Sequence, residues 1–281
     1  MLKVGIIGLG FVGNAIKNGF SVDTKIFSVD PKLNTNVEDL VAFSPDLIFV
    51  CLPTPMRKNG FQDNSIIELV LGQLNDLLPD VICVIKSTVL PNFLLEIYKT
   101  REKLVYNPEF LREAHADYDF ENSQFVILGG EKEDCEYVKK CYIKNSICKS
   151  NDFHFTDLAS ASLIKYSINA FLATKVLFFN ELYDIFKLSN TDSDWNHFIT
   201  VVSKDARIGK SHMQVPGFDG KRGFGGACFP KDTAALYKYS EELNKTMEIL
   251  KSVIKKNNLY RLKYDDLDDR EKEQKVNFDF L

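Results

Sequence analysis

The sequence predicts an α/β protein in two parts: a doubly wound α/β domain, then an all-helical domain built on one long central helix. Three observations predict it. Short apolar, β-branched runs alternate with helical patterns through the first half. A glycine turn directly follows the first run, and residues 156–186 contain neither Gly nor Pro.

In chain order, "KVGIIG" (3–8), "TKIFSVD" (24–30), "DLIFVCLP" (46–53), "VICVIKST" (81–88), "KLVYNP" (103–108) and "QFVILGG" (124–130) read as strands. Their apolar residues occupy both faces, the pattern of buried parallel strands. Segments between them, such as "NSIIELVLGQLNDLL" (64–78), carry apolar residues at helical spacing, so the unit is a repeated βαβ. This domain is expected over 1–155. The stretch 156–186 reads as one helix capped by Thr156 or Asp157, and apolar residues on several of its faces imply more than one neighbour. A helix over 191–203 follows, then an irregular Gly- and Lys-rich stretch over 205–231, then helical segments to about 259. The helical domain is thus expected over 156–260, with 261–281 as a polar, frayed tail.

Composition narrows the partners. A chain of 281 residues with 45% hydrophobic and 26% charged residues can bury one large core or two smaller ones. The net charge of -4 is mild and interspersed, so neither nucleic acid nor an anionic membrane is favoured as an electrostatic partner. The N-terminal residues lack the charged, apolar and cleavage regions of a secretory signal, and no stretch reads as the ~18 apolar residues of a membrane helix. Six cysteines without a C-x-x-C pair or zinc-like spacing argue against disulfides and a metal site. The expected location is cytoplasmic.

"GLGFVG" sets Gly8, Gly10 and Gly13 in dinucleotide-binding spacing between a strand and a helix, around Phe11 and Val12. Gly8 allows the turn, Gly10 lets backbone approach a pyrophosphate, and Gly13 lets the helix sit close to the strand. Asp30, at the end of the second strand, can bond ribose hydroxyls and repel a 2′-phosphate, so NAD is the expected cofactor. Thr88 falls at a strand end on the edge where such sheets place ligands, and Pro53 and Thr54 are further expected cofactor contacts. Cys228, in a glycine-rich loop with Gly225, is a candidate nucleophile toward an aldehyde. Lys165 and Asn169 are four apart on one helix face and can address a single oxygen. Alone, such a pair is more often solvated surface. Glu109 and Glu113 would share a face if their stretch is helical. Asp232 follows Cys228 by one turn and either caps the next helix or orients a water or Lys165.

Taken in order and spacing, "GLGFVG", "PTP" (53–55), "KSTVLP" (86–91), "YNPEFLREA" (106–114), "LIKYSINAFLATKVLFFNE" (163–181) and "RGFGGACFPKDT" (222–233) resemble the UDP-glucose/GDP-mannose dehydrogenase family over residues 1 to about 260. The resemblance implies a Rossmann domain and an NAD-dependent oxidation of a primary alcohol at sugar C6. The alcohol would be oxidised twice, through a thiohemiacetal and a thioester on Cys228, with UDP-glucose the expected nucleotide sugar. It places Lys165 and Asn169 beside the reacting oxygen, Asp232 and Thr88 in the water or lysine network, Glu109 in hydrolysis or proton transfer, and Glu113 in support. Arg207 in "DARIG" is implied to reach substrate, often across a homodimer formed through the long helix. Three departures stand out: the chain stops before the family's second Rossmann-like, nucleotide-gripping domain, Ser162 replaces a glutamate, and Gln124 an arginine. The stretch 210–222 looks long, and Lys221 and Arg222 in it are expected to contact the substrate diphosphate. Two alternatives remain at this point. One is a 3-hydroxyacid dehydrogenase of the 6-phosphogluconate type, which needs no cysteine, and the other is a non-catalytic NAD-binding remnant or subunit.

Overall fold

The computed structural model describes residues 1–281. The chain divides into two compact units, Met1–Thr54 with Asn64–Lys165 and Pro55–Asp63 with Tyr166–Leu281.

Unit 1 contains strands β1 (Leu2–Ile7), β2 (Thr24–Val29), β3 (Leu47–Val50), β4 (Ile82–Ile85), β5 (Leu104–Tyr106), β6 (Val126–Gly130) and β7 (Phe153–Thr156) in one sheet of order β2-β1-β3-β4-β5-β6-β7. Helices α1 (Phe11–Gly19), α2 (Asp39–Phe43), α3 (Ser65–Leu77), α4 (Pro91–Tyr98), α5 (Ala116–Glu121) and α6 (Lys132–Asn145) connect them, and the first turns of α7 (Leu158–Leu188) complete the unit. Alternate strand residues feed two apolar layers. Ile48, Val50 and Ile85 pack with Leu71 and Leu74 of α3 and Leu158 of α7. Phe49, Val84 and Val105 pack with Ile16 of α1 and Val138 and Tyr142 of α6.

The sheet is mixed, a correction to the expected parallel run. β5 and β6 pair antiparallel through Val105↔Gly130 and Tyr106↔Gly129 only, whereas β6 and β7 are parallel. A strand buried on both faces looks the same in sequence whichever way it runs, so the apolar runs carry no direction. At Gly129 a β-carbon would lie 2.6 Å from the Ala161 side chain and 2.9 Å from Asp157 O. Bare backbone on β6 is therefore what lets the first turn of α7 settle there.

Unit 2 holds the rest of α7 with α8 (Trp195–Val202), α9 (Phe229–Glu242), α10 (Glu248–Arg261) and α11 (Asp269–Glu273). One cluster joins Phe179, Trp195, Ile199, Met213 and Val215, and another joins Ala173, Leu177, Phe224 and Tyr260. Contrary to the sequence expectation, α7 is long and apolar enough to cross a bilayer by length and composition, with a mean hydropathy of 1.2 over its best window. In that window 44% is buried inside the protein, and Lys165 and Asn169 make buried polar contacts, as in a core helix of a globular unit. Residues 261–281, expected to fray, instead bury Glu271, Val276 and Phe278. The segment is polar overall, but Val276, Phe278 and the Glu271 carboxylate turn inward, while Leu262 stays exposed.

Candidate functional site

The end of β1 is built as a phosphate cradle. Gly8 has φ +91°, and a β-carbon on it would sit 2.6 Å from Cys51 O. At Gly13 a β-carbon would collide with Gly8 O, so α1 is held against the turn. Gly10, by contrast, faces open space and is the N-cap of α1, and it brings no side chain of its own to the first-turn amides around Phe11 and Val12. Those amides and the helix dipole fit an anionic pyrophosphate. Asp30 is fixed at the end of β2, its Oδ2 accepting from Leu9 N at 2.7 Å and its Oδ1 from Lys32 N at 2.9 Å. A preset carboxylate there fits ribose hydroxyls. The sheet order reverses around β1, so this edge is the topological switch point.

Neighbouring strand ends are stitched together along that edge. Thr54 Oγ1 donates to Thr88 O at 2.9 Å, and Leu52 N donates to Ser87 Oγ at 2.9 Å. Thr54 and Thr88 are buried, and Pro53 between them and Leu52 is exposed. The Lys86 ammonium, also buried, donates to Asn107 Oδ1 at 2.8 Å, where the Tyr142 hydroxyl donates as well at 2.7 Å. Burial lowers Lys86 from 10.5 to about 8, with Cys51, Glu109 and Cys148 opposing the shift and Lys165 adding to it. Glu109 is buried, its Oε2 accepting from Leu111 N at 2.6 Å and its Oε1 lying 3.3 Å from Lys165 Nζ. Lys165 also donates to Glu109 O at 2.5 Å and lies over the Phe110 ring at 5.1 Å. Glu113 is exposed in a short 3-10 turn, and residues 107–112 are not helical, so the two glutamates do not share a helix face. Ser162 Oγ, in the place of the family's glutamate, donates to Val89 O at 2.7 Å and ties α7 to the sheet edge.

In unit 2, Cys228 is the N-cap of α9, with Pro230 in the first turn. The helix N-terminus is a favourable place for negative charge on sulfur or on an oxygen bonded to the adjacent carbon. Just before it, Gly226 has φ +75° and faces open space. Asp232 is buried in the first turn of α9, so it is not the cap. Its Oδ2 accepts from Asn169 Nδ2 at 2.6 Å and its Oδ1 from Lys231 Nζ at 2.6 Å. Lys165 and Asn169, one turn apart on α7, are thus directed to different carboxylates rather than to one shared protein oxygen.

Four residues expected at the substrate, Gly225, Lys221, Arg222 and Arg207, meet other protein groups. A β-carbon on Gly225 would collide with Arg261 and Glu271, so the missing side chain there makes room for an ion pair. Lys221 Nζ lies 2.7 Å from Asp266 O and 2.9 Å from its carboxylate. Arg222 bonds Asn180 and both Asp184 oxygens, and its guanidinium stacks 4.7 Å from the Tyr260 ring centre. Arg207 is exposed and pairs with Asp205 at 2.6 Å.

The sequence reading missed Lys86, Asn107 and Tyr142, as well as Asn180, Asn257 and Glu271, which hold the Cys228 loop. A lysine closing an apolar strand was a usable signal for the first group. For Glu271 the only local signal is its capping-box spacing from Asp268. All six cysteines are unbridged, and burial pushes Cys83 to about 11 and Cys135 to about 12, leaving them as neutral core thiols.

Known proteins resemble the chain in both of its units. Residues 29–145 match the NAD binding domain of the UDP-glucose/GDP-mannose dehydrogenase family, and residues 159–259 match its central domain. The UDP-glucose 6-dehydrogenase of Rickettsia felis is 33% identical over 232 residues, which cover 79% of this chain and 50% of that protein. The chain spans about half the length of the curated relatives it matches. The UDP-glucose dehydrogenase of Pyrobaculum islandicum superposes with a TM-score of 0.78 at 25% identity, over 92% of this chain and 68% of that one. A 3-hydroxyisobutyrate dehydrogenase from Mycobacterium tuberculosis shares the fold, with a TM-score of 0.68 at 16% identity over 90% of this chain and 91% of its own. Two adjoining domain matches in the family's own order, on a chain with the glycine turn and the cysteine loop, make it a member of the UDP-glucose/GDP-mannose dehydrogenase family.

Proposed function

We propose that the protein is an NAD-dependent nucleotide-sugar 6-dehydrogenase that oxidises UDP-glucose to UDP-glucuronate. The observation that carries this reading is Cys228 at the N-terminus of α9, behind an open glycine and one turn from an Asp232 already bonded to Asn169. The β1–α1 turn would hold NAD, with Asp30 toward its ribose, and NAD would supply the hydride acceptor for both oxidations.

The chain's own residues handle the protons and the intermediate. A primary alcohol loses its hydroxyl proton and a C6 hydride to give an aldehyde, to whose carbon the Cys228 sulfur adds to form a thiohemiacetal. Loss of a second hydride gives a thioester, which water hydrolyses to carboxylate and free thiol. Per sugar, one water and two NAD are consumed, and two NADH and three protons are released. Lys165 steadies the negative oxygen and Asn169 adds an amide donor. Glu109 takes up and returns protons during hydrolysis, with Thr88 and Asp232 ordering the water.

Arg207 serves a second copy of the chain in a homodimer formed along α7. Supporting this, Phe171, Phe178 and Ile185 recur at every seventh residue of α7 and are 66%, 60% and 59% exposed, an apolar stripe with no cover in the single chain. The 3-hydroxyacid reading keeps only the fold likeness, and Cys228 has no task in it.

A panel of nucleotide sugars, each mixed with NAD or NADP and followed by NADH absorbance, tests the assignment. UDP-glucose with NAD is expected to give the fastest signal. Turnover with NADP alone would remove the Asp30 argument, and silence with every sugar would remove the function.

A further inference from the structure

The loop that presents Cys228 is tied, residue after residue, to the last residue of α10 and the segment that follows it. Asp219 Oδ2 accepts from Arg261 at 2.6 Å, and Lys221 pairs with Asp266 at 2.9 Å. Arg222 N donates to the Tyr264 hydroxyl at 3.0 Å, and Gly226 N donates to Glu271 Oε1 at 3.0 Å. Phe278 lines one small cavity with Phe224 and Pro230, on either side of the cysteine.

Glu271 is the hub of these ties. Its side chain is 0% exposed, and its Oε1 accepts from both Gly226 N and Arg261 at 2.9 Å, while its Oε2 accepts from Asp268 N at 2.9 Å. A buried carboxylate with each oxygen engaged has one stable position. Gly225 is bare because this ion pair lies against it. The Gly226 amide, two residues before Cys228, is therefore fixed from outside the loop, and so is the backbone that leads into the α9 N-terminus.

We propose that residues 261–278 act as a strap that sets the backbone of the Cys228 loop, with Glu271 as the positioning residue whose carboxylate bonds the Gly226 amide. The link to turnover rests on the proposed role of Cys228, but the fixing of the loop does not. The strap makes a segment that reads as a solvated tail part of the machinery that aims the thiol.

The test compares wild type, Glu271→Ala and Glu271→Gln as full chains by hydrogen exchange, iodoacetamide labelling of Cys228 and steady-state kinetics. In Glu271→Ala the 225–228 amides are expected to exchange about tenfold faster or more, with the unit 1 sheet unchanged and Cys228 labelled at an altered rate. Its kcat is expected to fall about 10- to 100-fold with KM for NAD unchanged. Glu271→Gln keeps a carbonyl for Gly226 and is expected to recover most of the exchange protection and kcat. Should Glu271→Ala not fold, Gly225→Ala, whose methyl strikes the Arg261–Glu271 pair, is read in its place with the same expectations. Wild-type exchange and labelling in these variants overturn the strap, as does a lowered Tm with kcat per folded molecule unchanged. If wild type reduces no NAD, the dehydrogenase reading has failed, and exchange and labelling alone decide the strap.

Discussion

Asn169 donates its side-chain amide to Asp232 at 2.6 Å, joining the long helix α7 to the first turn of α9 across 63 positions of sequence. The other Asp232 oxygen holds Lys231 at 2.6 Å, and Asp232 is 1% exposed. Asn169→Ala leaves one carboxylate oxygen without its donor, a loss of about 1–3 kcal/mol. Asp232→Asn also strips Lys231 of its counter-charge, which raises the expected loss to about 3–5 kcal/mol. Urea unfolding of the two variants should rank them in that order, and the reverse order would show that Asn169, not the carboxylate, is the structural centre.

Lys165 and Glu109 form a pair whose side chains are 4% and 6% exposed. Removing either member leaves a buried charge unpaired, so Lys165→Met and Glu109→Gln are each expected to cost about 3 kcal/mol or more. The double variant should lose less than the sum of the two, by at least about 1 kcal/mol. Strict additivity in denaturant titrations would mean that the ammonium and the carboxylate do not depend on each other.

Lys86 gives a pH signature. Its folded value is lowered from 10.5 to about 8, so between those two values the unfolded chain binds more protons than the folded one, and stability from this group rises with pH. Thiols raised by burial, Cys51 to about 12 and Cys83 to about 11, act in the opposite sense above their ordinary value of 9.0. The difference between wild type and Lys86→Met isolates the lysine. It should move in favour of wild type by about 2–3 kcal/mol between pH 8 and 10.5, and a flat difference in urea titrations across that range would place the ammonium in contact with water.

Arg222 was expected from the sequence to hold a diphosphate, but Asp184, Asn180 and the Tyr260 ring occupy its guanidinium. Arg222→Ala is therefore expected to cost about 2 kcal/mol of stability and to leave KM for a nucleotide sugar unchanged in the folded enzyme. A raised KM with an unchanged Tm would restore the diphosphate contact.

What could be read from the sequence was whatever is encoded locally. The β1 turn, the uninterrupted α7 and the cysteine loop each announce themselves in consecutive residues, because strand period, helix period and glycine placement act at short range. Strand direction does not, and the β5/β6 reversal went unseen. The same holds for polar pairs formed by distant residues. Nothing near Glu271 says that its carboxylate bonds Gly226, and nothing near Asn169 names Asp232. Lys221 and Arg222 looked available because their partners lie 45 and 38 positions away.

The most direct test of the proposed chemistry is the yield of NADH per UDP-glucose consumed at completion, in wild type and in Cys228→Ser. Two NADH per sugar and a glucuronate product are expected from wild type, and no carboxylate from the variant, since serine cannot carry the thioester. A wild-type yield of one NADH per sugar, or full glucuronate formation by Cys228→Ser, would contradict the account.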